Sequence, residues 1–383
     1  MTDLQRILPL WRELEDRGTD YVLATVIAVE GSSYRKPGAC MLIAKDGRRA
    51  GTVSGGCLEA EVARRAWWHT AKGPSIQRYS TVEEDGDRPY GSGCGGVVWL
   101  LLERRATAAP LLNALELAFR RRVPLAVATV VEGKQMGRRA FAGLVPGQLA
   151  DRSFTGADPL QWHANLALTG GRSGQSKLPL EVAEVRIWTD LRPARRGLWI
   201  FGAGDDAQPV LQLGKALGWY VTIADGRSQF ATRERFAAAD EIHVLPAAGI
   251  PLSRSVALAN LHPQDAVVVM THSFEQDSRA LVALMALDTE PAYVGVLGPE
   301  RRTRQLLAEA ARLLESIGSP ELLIGDANER WLSELHAPTG LDLGADSPET
   351  IALSVVAEIQ KSFAGATARP LRDARASAPV VSV

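Results

Sequence analysis

The sequence predicts an α/β protein in two parts: an N-terminal mixed α+β module, then a Rossmann-like, doubly wound parallel sheet. Three observations carry this expectation. At residue 198 an apolar run, "LWIF", enters the tight turn "GAGDDA" and then a segment with helical spacing, and strand–helix alternation continues from there. Before that point, short strand-like runs are joined by hairpin signals such as Asp46-Gly47. Finally, 383 residues exceed what one hydrophobic core organises.

Composition narrows the function classes. Apolar residues make up 46% and charged residues 23%, the balance of a folded globular chain. A formal net charge of -1 gives no long-range attraction to nucleic acid or to a membrane surface. No apolar run reaches the length of a bilayer span. The opening "MTDLQRILPLWREL" reads as an amphipathic helix with interleaved charges, not a secretory leader. Three cysteines are too few for a disulfide scaffold, and their odd number fits a reducing, cytoplasmic setting. Without a C-x-x-C pair or histidines at ligand spacing, a structural zinc site is not expected.

The elements follow in order. Residues 1–20 read as one helix, and 21–30, rich in Val and Ile, as a buried strand. The loop "GSSYRKPG" leads to two short strands around "KDG". The helix "LEAEVARRAWWHT" starts just after Gly55-Gly56. Strands are expected at "SIQRYS" and "GVVWLLLE", a helix over 107–122, and a strand at "PLAVATVV". Residues 133–180 show weaker periodicity, with surface strands and a helix near 159–168, before the strand "EVAEVRIWTD". The polar hinge at 191–197 separates an N-terminal domain over 1–190 from a Rossmann-like domain over 197–363. A tail over 364–383, rich in Ala, Arg and Pro, reads as disordered. In the second domain "YVTIAD", "EIHVL", "DAVVVMT" and "AYVGVLG" are the further strands. The last helix opens with Ser347 as cap and Pro348 at its first position.

Gly202 and Gly204 match the first two glycines of a dinucleotide turn, with Ala207 at the third position. Asp225 ends the next strand about 20 residues on, where an acid would take ribose hydroxyls. Arg227 either receives a phosphate or pairs with Asp225. Asp205 and Asp206 leave two readings open, as first-turn acids that stabilise the helix or as functional groups that would repel a pyrophosphate. His272, in Thr271-His272-Ser273, follows a parallel strand at the end where such sheets bind ligands. It is a ligand contact, an acid–base group or a solvent-facing residue at a helix start.

The thiols raise a different chemistry. Cys57 follows Ser54-Gly55-Gly56 at a helix N-terminus, where unpaired amides favour a thiolate, the form that ligates metals. Cys94 and Gly95 lie in the bare loop "GSGCGG" before a strand, and the two thiols are candidates to meet at one site. Cys40, within a strand, reads as a small buried side chain. Ser32, Ser33 and Arg35 offer hydroxyls and a cation after the first strand, suited to phosphate or pterin oxygens.

These motifs in order, "EGSSYRKPGACMLI", "GTVSGGCLEAEV", "GSGCGGVVWLLLE", "IFGAGDDAQP", "VVMTHSFEQD" and "YVGVLGPERR", resemble the XdhC/CoxI family, accessory proteins of xanthine dehydrogenase and related molybdenum hydroxylases. The resemblance implies a protein that binds a molybdopterin-type molybdenum cofactor and protects it while a terminal sulfur is installed, with a cysteine desulfurase-type protein as donor. Delivery into a molybdenum hydroxylase apoenzyme follows. It implies cofactor roles for Ser54, Gly55, Gly56, Cys57, Cys94 and Gly95, with Cys57 and Cys94 as molybdenum contacts. Gly202, Gly204 and Asp225 match its nucleotide-type fingerprint. Asp205 departs from the His often found there. The residues alone also admit an NAD(P)-dependent oxidoreductase acting through the Rossmann domain, although no catalytic acid–base pair is evident. A homodimer is the expected default assembly.

Overall fold

A computed structural model of the chain describes residues 3–56, 58–80, 96–143, 158–179, 184–247, 258, 260–287, 290–316 and 332–376. The chain divides into two compact units, Met1–Arg195 and Arg196–Val383.

The first unit begins with helix α1 (Asp3–Asp16), whose Ile7, Leu8, Trp11 and Leu14 recur at helical spacing and are all buried. Strands β1 (Tyr21–Gly31), β2 (Cys40–Ala44) and β3 (Arg49–Gly51) follow. Helix α2 (Glu59–His69), β4 (Ser75–Ser80) and β5 (Gly96–Arg104) complete a five-stranded antiparallel sheet in the order β3-β2-β1-β5-β4. β1 is central and buried on both faces because alternate side chains serve two cores. Val22, Ala24 and Val26 pack with Leu58, Val62 and Ala66 on the α2 side. Tyr21 and Leu23 pack with α1 and with α3 (Arg105–Arg121) on the other.

A second antiparallel sheet uses β6 (Leu125–Val130), β7 (Arg139–Ala142), β8 (Gly174–Pro179) and β9 (Glu184–Arg192), in the order β7-β6-β9-β8. Ala126, Ala128 and Val130 face α4 (Pro159–Gly170), while Leu125 and Val127 join the core under α1 and α3. β7 and β8 lie in the weakly periodic stretch, where sequence gives only surface strands. An ion pair ties the sheets together: Glu103 of β5 is fully buried and accepts from Arg139 of β7. Arg139 also donates to the Thr107 and Gly137 carbonyls at 2.8 and 3.0 Å.

The second unit is a six-stranded, all-parallel sheet. It contains β10 (Gly197–Phe201), β11 (Tyr220–Asp225), β12 (Glu241–Val244), β13 (Ala266–Val269), β14 (Tyr293–Val296) and β15 (Leu335–His336). The spatial order β12-β11-β10-β13-β14-β15 is the 3-2-1-4-5-6 order of a Rossmann sheet. α5 (Ala207–Ala216) and α8 (Pro348–Ala364) cover the face carrying Leu198 and Ile200. α6 (Phe274–Met285) and α7 (Glu300–Ser316) cover the face carrying Trp199 and Phe201. Ser347 caps α8 in a reciprocal box with Thr350, and Pro348 occupies the first turn, as the sequence implies. A six-residue helix, α9 (Leu371–Ala376), follows.

The Glu103–Arg139 pair generates a test. Arg139→Ala leaves a buried carboxylate without its counter-charge and should cost about 3–5 kcal/mol. Replacing both partners by apolar residues of similar volume should recover most of that loss. Urea denaturation of the three proteins measures the difference.

Candidate functional site

Strand direction sets the geometry of the first unit. Gly31 ends β1 and pairs with Gly96, the first residue of β5. Ser80 ends β4 beside Val97, and Gly51 ends β3 beside Met41 at the start of β2. One end of the five-stranded sheet therefore carries the loop after β1, the turn before α2, and both flanks of the segment holding the second Gly-rich motif. Cys57, Cys94 and Gly95 themselves lie outside the described residues.

The residues on either side of position 57 are tied by hydrogen bonds. Ser54 and Glu59 are both buried, Glu59 to 8% exposure. Glu59 accepts from the Ser54 amide at 2.9 Å, the Val53 amide at 3.2 Å and the Ser54 hydroxyl at 2.6 Å. The Ser54 oxygen in turn accepts from the amides of Gly56 and Leu58 at 3.2 and 3.1 Å. The turn is thus folded around two side chains before the helix begins at Glu59, and the exposed Gly55 and Gly56 present bare backbone outward. Burial opposes the ionised form of Glu59. The bonds from the Ser54 hydroxyl and from the Ser54 and Val53 amides outweigh it and hold the carboxyl below the usual carboxylate range. Sequence reading placed Ser54 here as a motif residue, but its hydroxyl serves the turn itself.

The loop after β1 lies against this turn. Arg35 donates to the Thr52 carbonyl at 3.3 Å and pairs with Asp3 of α1, so its cation is already engaged. Ser33 donates to the Arg35 carbonyl at 3.0 Å, while Ser32 is exposed. Gly96 is required where the loop meets β5, because a Cβ there would stand 2.1 Å from the Ser32 carbonyl oxygen. Cys40, at the start of β2, is buried with its Sγ donating to the Gly38 carbonyl at 3.3 Å, and burial pushes its thiol up.

The second unit places Gly202, Gly204, Asp225, Arg227 and His272 together at the C-terminal ends of β10, β11 and β13. The strand order reverses between β10 and β13, the crevice where such sheets hold ligands. Gly202 has φ +139°, and a Cβ would lie 2.5 Å from the Met270 carbonyl oxygen, so the turn closes directly on the residue after β13. Asp225 is fully buried. It accepts from the Ala203 and Arg227 amides at 2.8 Å each and from the Arg227 guanidinium at 2.7 and 3.0 Å. Burial works against its charge, but the Arg227 and Ala203 bonds prevail and lower its pKa. Asp205 is 95% exposed and pairs with Arg235. Asp206 precedes α5 and lies 2.7 Å from His272 Nε2. His272 is held at φ +60°, a backbone state costly for a non-glycine residue, with its side chain 62% exposed.

Sequence reasoning missed the carboxylate behind His272. Asp277 is fully buried, accepts from the Thr271 amide and hydroxyl at 3.1 and 2.6 Å, and pairs with Arg302 at 2.6 Å. Its signal was an acid in the first turn of α6, indistinguishable from an ordinary dipole-stabilising residue. Among the described residues no three potential ligands gather as a metal site, and no helix is long and apolar enough to cross a membrane.

Comparison with known proteins agrees with this architecture. Residues 198–359 match the model of the XdhC Rossmann domain, and residues 14–80 that of the XdhC and CoxI family. The chain is 29% identical over 366 residues to a Bacillus subtilis protein named as a probable xanthine dehydrogenase subunit, covering 90% of this chain and 94% of that one. It is 26% identical over 351 residues to the molybdenum cofactor insertion chaperone PaoD of Escherichia coli, covering 89% and 83%. A crystal structure described as a xanthine dehydrogenase from Bacillus halodurans superposes with a TM-score of 0.69 at 28% identity, covering 99% and 98%.

Two expected outcomes follow from the buried carboxylates. Because folding lowers the Glu59 pKa from 4.5, its stabilising contribution is present above that value and is lost as pH falls through the folded pKa. Glu59→Gln should therefore cost about 1–3 kcal/mol at pH 7, and the gap from the parent protein should narrow in urea melts below pH 4.5. Asp225→Ala should cost about 3 kcal/mol and loosen the turn, seen as faster amide exchange at Ala203 and Arg227.

Proposed function

Because the chain belongs to the XdhC and CoxI family, we propose that it is a molybdenum cofactor insertion chaperone serving a xanthine dehydrogenase-type molybdenum enzyme. It binds the cofactor, shields its metal end while a cysteine desulfurase-type protein supplies the terminal sulfur, and hands it to the apoenzyme in the cytoplasm. The observation that carries this reading is topological. The flanks of both thiol-bearing segments, Gly56 and Leu58 for one, Ser80 and Gly96 for the other, are anchored at one end of a single sheet.

The residues there fit the cargo. A thiolate at Cys57 is a soft donor for molybdenum, and Cys94 is a second. Gly55 and Gly56 leave backbone open to a large ligand. The exposed Ser32 hydroxyl and the cation of Lys36 suit pterin and phosphate oxygens. Arg35 braces the loop through Asp3 and Thr52 instead of reaching outward. None of this requires the protein to perform a reaction.

An NAD(P)-dependent oxidoreductase fits less well. Asp225 and Arg227 satisfy each other, and a pyrophosphate entering the turn would meet Asp206 at the helix start. The crevice at Gly202, Gly204 and His272 is better matched to a contact with the protein partner or with an uncharged part of the cofactor.

Protein purified anaerobically from cofactor-producing cells is expected to carry pterin and molybdenum, measured by fluorescence after oxidation and by metal analysis. Cys57→Ala should retain several-fold less of both. Equal retention by the variant would remove the thiol from the mechanism, and NAD(P)H-dependent turnover abolished by changes at His272 would replace the chaperone reading with the enzyme.

A further inference from the structure

We propose that Tyr34 is the platform on which a planar heteroaromatic ligand stacks, at the end of the five-stranded sheet that carries the loop after β1. The ligand's identity as the pterin of the cofactor rests on the function proposed above; the platform itself rests on geometry. At 79% exposure, Tyr34 is more exposed than any other large apolar side chain among the described residues. Isolated exposed aromatics are common, so position decides. Trp68 and Trp162, the other strongly exposed aromatics, sit on helices and lean edge-on against their own neighbours His69 and His163. Tyr34 stands where the loop after β1 meets the turn before α2.

The base of its ring lies over Gly55. A Cβ at Gly55 would be 3.5 Å from Tyr34 Cγ and 3.7 Å from Cδ1, so the glycine leaves backbone and ring sharing one bare surface. Both supports are pinned. Ser33 bonds to the Arg35 carbonyl, Arg35 ties to Thr52 and Asp3, and Ser54 with Glu59 locks the opposite turn. A ring anchored at its root on stiff backbone, with its face in solvent, loses little freedom when a ligand lies on it. The electron-rich face of tyrosine favours an offset stack with an electron-poor bicycle. Ser32 and Lys36, two residues before and two after Tyr34 on the same loop, are exposed and give that loop a hydroxyl and a cation. Among the described residues no hydrogen bond holds the Tyr34 hydroxyl, and beyond its root on Gly55 the ring is left largely in water.

The test compares the parent protein with Tyr34→Phe, Tyr34→Leu and Tyr34→Ala. Each is titrated with free pterin while the pterin's own fluorescence is followed, since stacking on an aromatic ring quenches it. Pterin content after purification from cofactor-producing cells is measured in parallel. Melting temperatures should be unchanged, because the side chain is exposed. Tyr34→Phe should quench and retain pterin like the parent, while Tyr34→Leu and Tyr34→Ala should bind about tenfold more weakly, the low end for aromatic platforms that stack planar rings. Equal quenching by the parent and Tyr34→Leu would overturn the platform. If the parent quenches free pterin through Tyr34 but carries none from cells, the platform stands and the chaperone reading falls.

Discussion

Buried carboxylates that accept backbone amides hold this molecule's loops in place. Glu59 grips the turn before α2 through the amides of Val53 and Ser54. Asp225 grips the glycine turn through Ala203, and Asp277 grips Thr271 after β13. Asp265 takes the amides of Gly197 and His262, and Glu358 takes that of Gly340 together with the Tyr293 hydroxyl. A charged acceptor makes the stronger class of hydrogen bond, and leaving it buried without donors is strongly destabilising. Each loop is consequently fixed to the helix or strand that carries or adjoins its acid, and in the turn before α2 the exposed Gly55 and Gly56 owe their position to the buried Glu59.

This arrangement separates stiffness from exposure. Surface loops are ordinarily the mobile parts of a fold, yet the turn carrying Gly55 and Gly56 is tied at both ends. Bare backbone on a tied turn can meet a large ligand without first losing the entropy of ordering itself. The Rossmann turn uses the same device to the opposite effect. Asp225 turns inward to Ala203 and is neutralised by Arg227, and Gly202 lies directly on Met270. The fold of a dinucleotide-binding domain is retained while the acid that would read a ribose is taken up by the protein's own backbone.

Much of the fold was legible because periodicity and turn chemistry coincide. The Rossmann strands β10, β11, β13 and β14 are largely apolar runs buried on both faces, and the Ser347-Pro348 start of α8 announces itself. β7 and β8 were obscure, since a four-residue strand, "RAFA", and the polar strand "GQSKLP" carry no clear alternation. At the candidate sites the residue types were readable and their employment was not. Arg35 looks like a free cation in the sequence and in the fold is paired with a carboxylate, while Arg227 takes the second of its two readings and pairs with Asp225. The Asp3 partner lies 32 residues from Arg35, beyond any local pattern. Asp277 was hidden because a first-turn acid looks the same whether it faces water or braces a loop.

The protonation state of Glu59 bears on whether this end of the sheet is built for turnover. A general acid at neutral pH needs a pKa raised toward 7 and a path to the reacting atom. Glu59 has neither: three donors hold its pKa down, and both oxygens are committed to the turn. Neutralising it to move a proton would release the backbone that shapes the turn. Ser54 is equally unfit as a nucleophile, since its hydroxyl donates to a carboxylate while accepting two amides. The groups that give the turn its shape are thereby withdrawn from proton transfer. Among the described residues, the groups turned outward here include glycine backbone, a tyrosine ring, a hydroxyl and a lysine, a set suited to holding a cargo by its faces and edges and then letting it go.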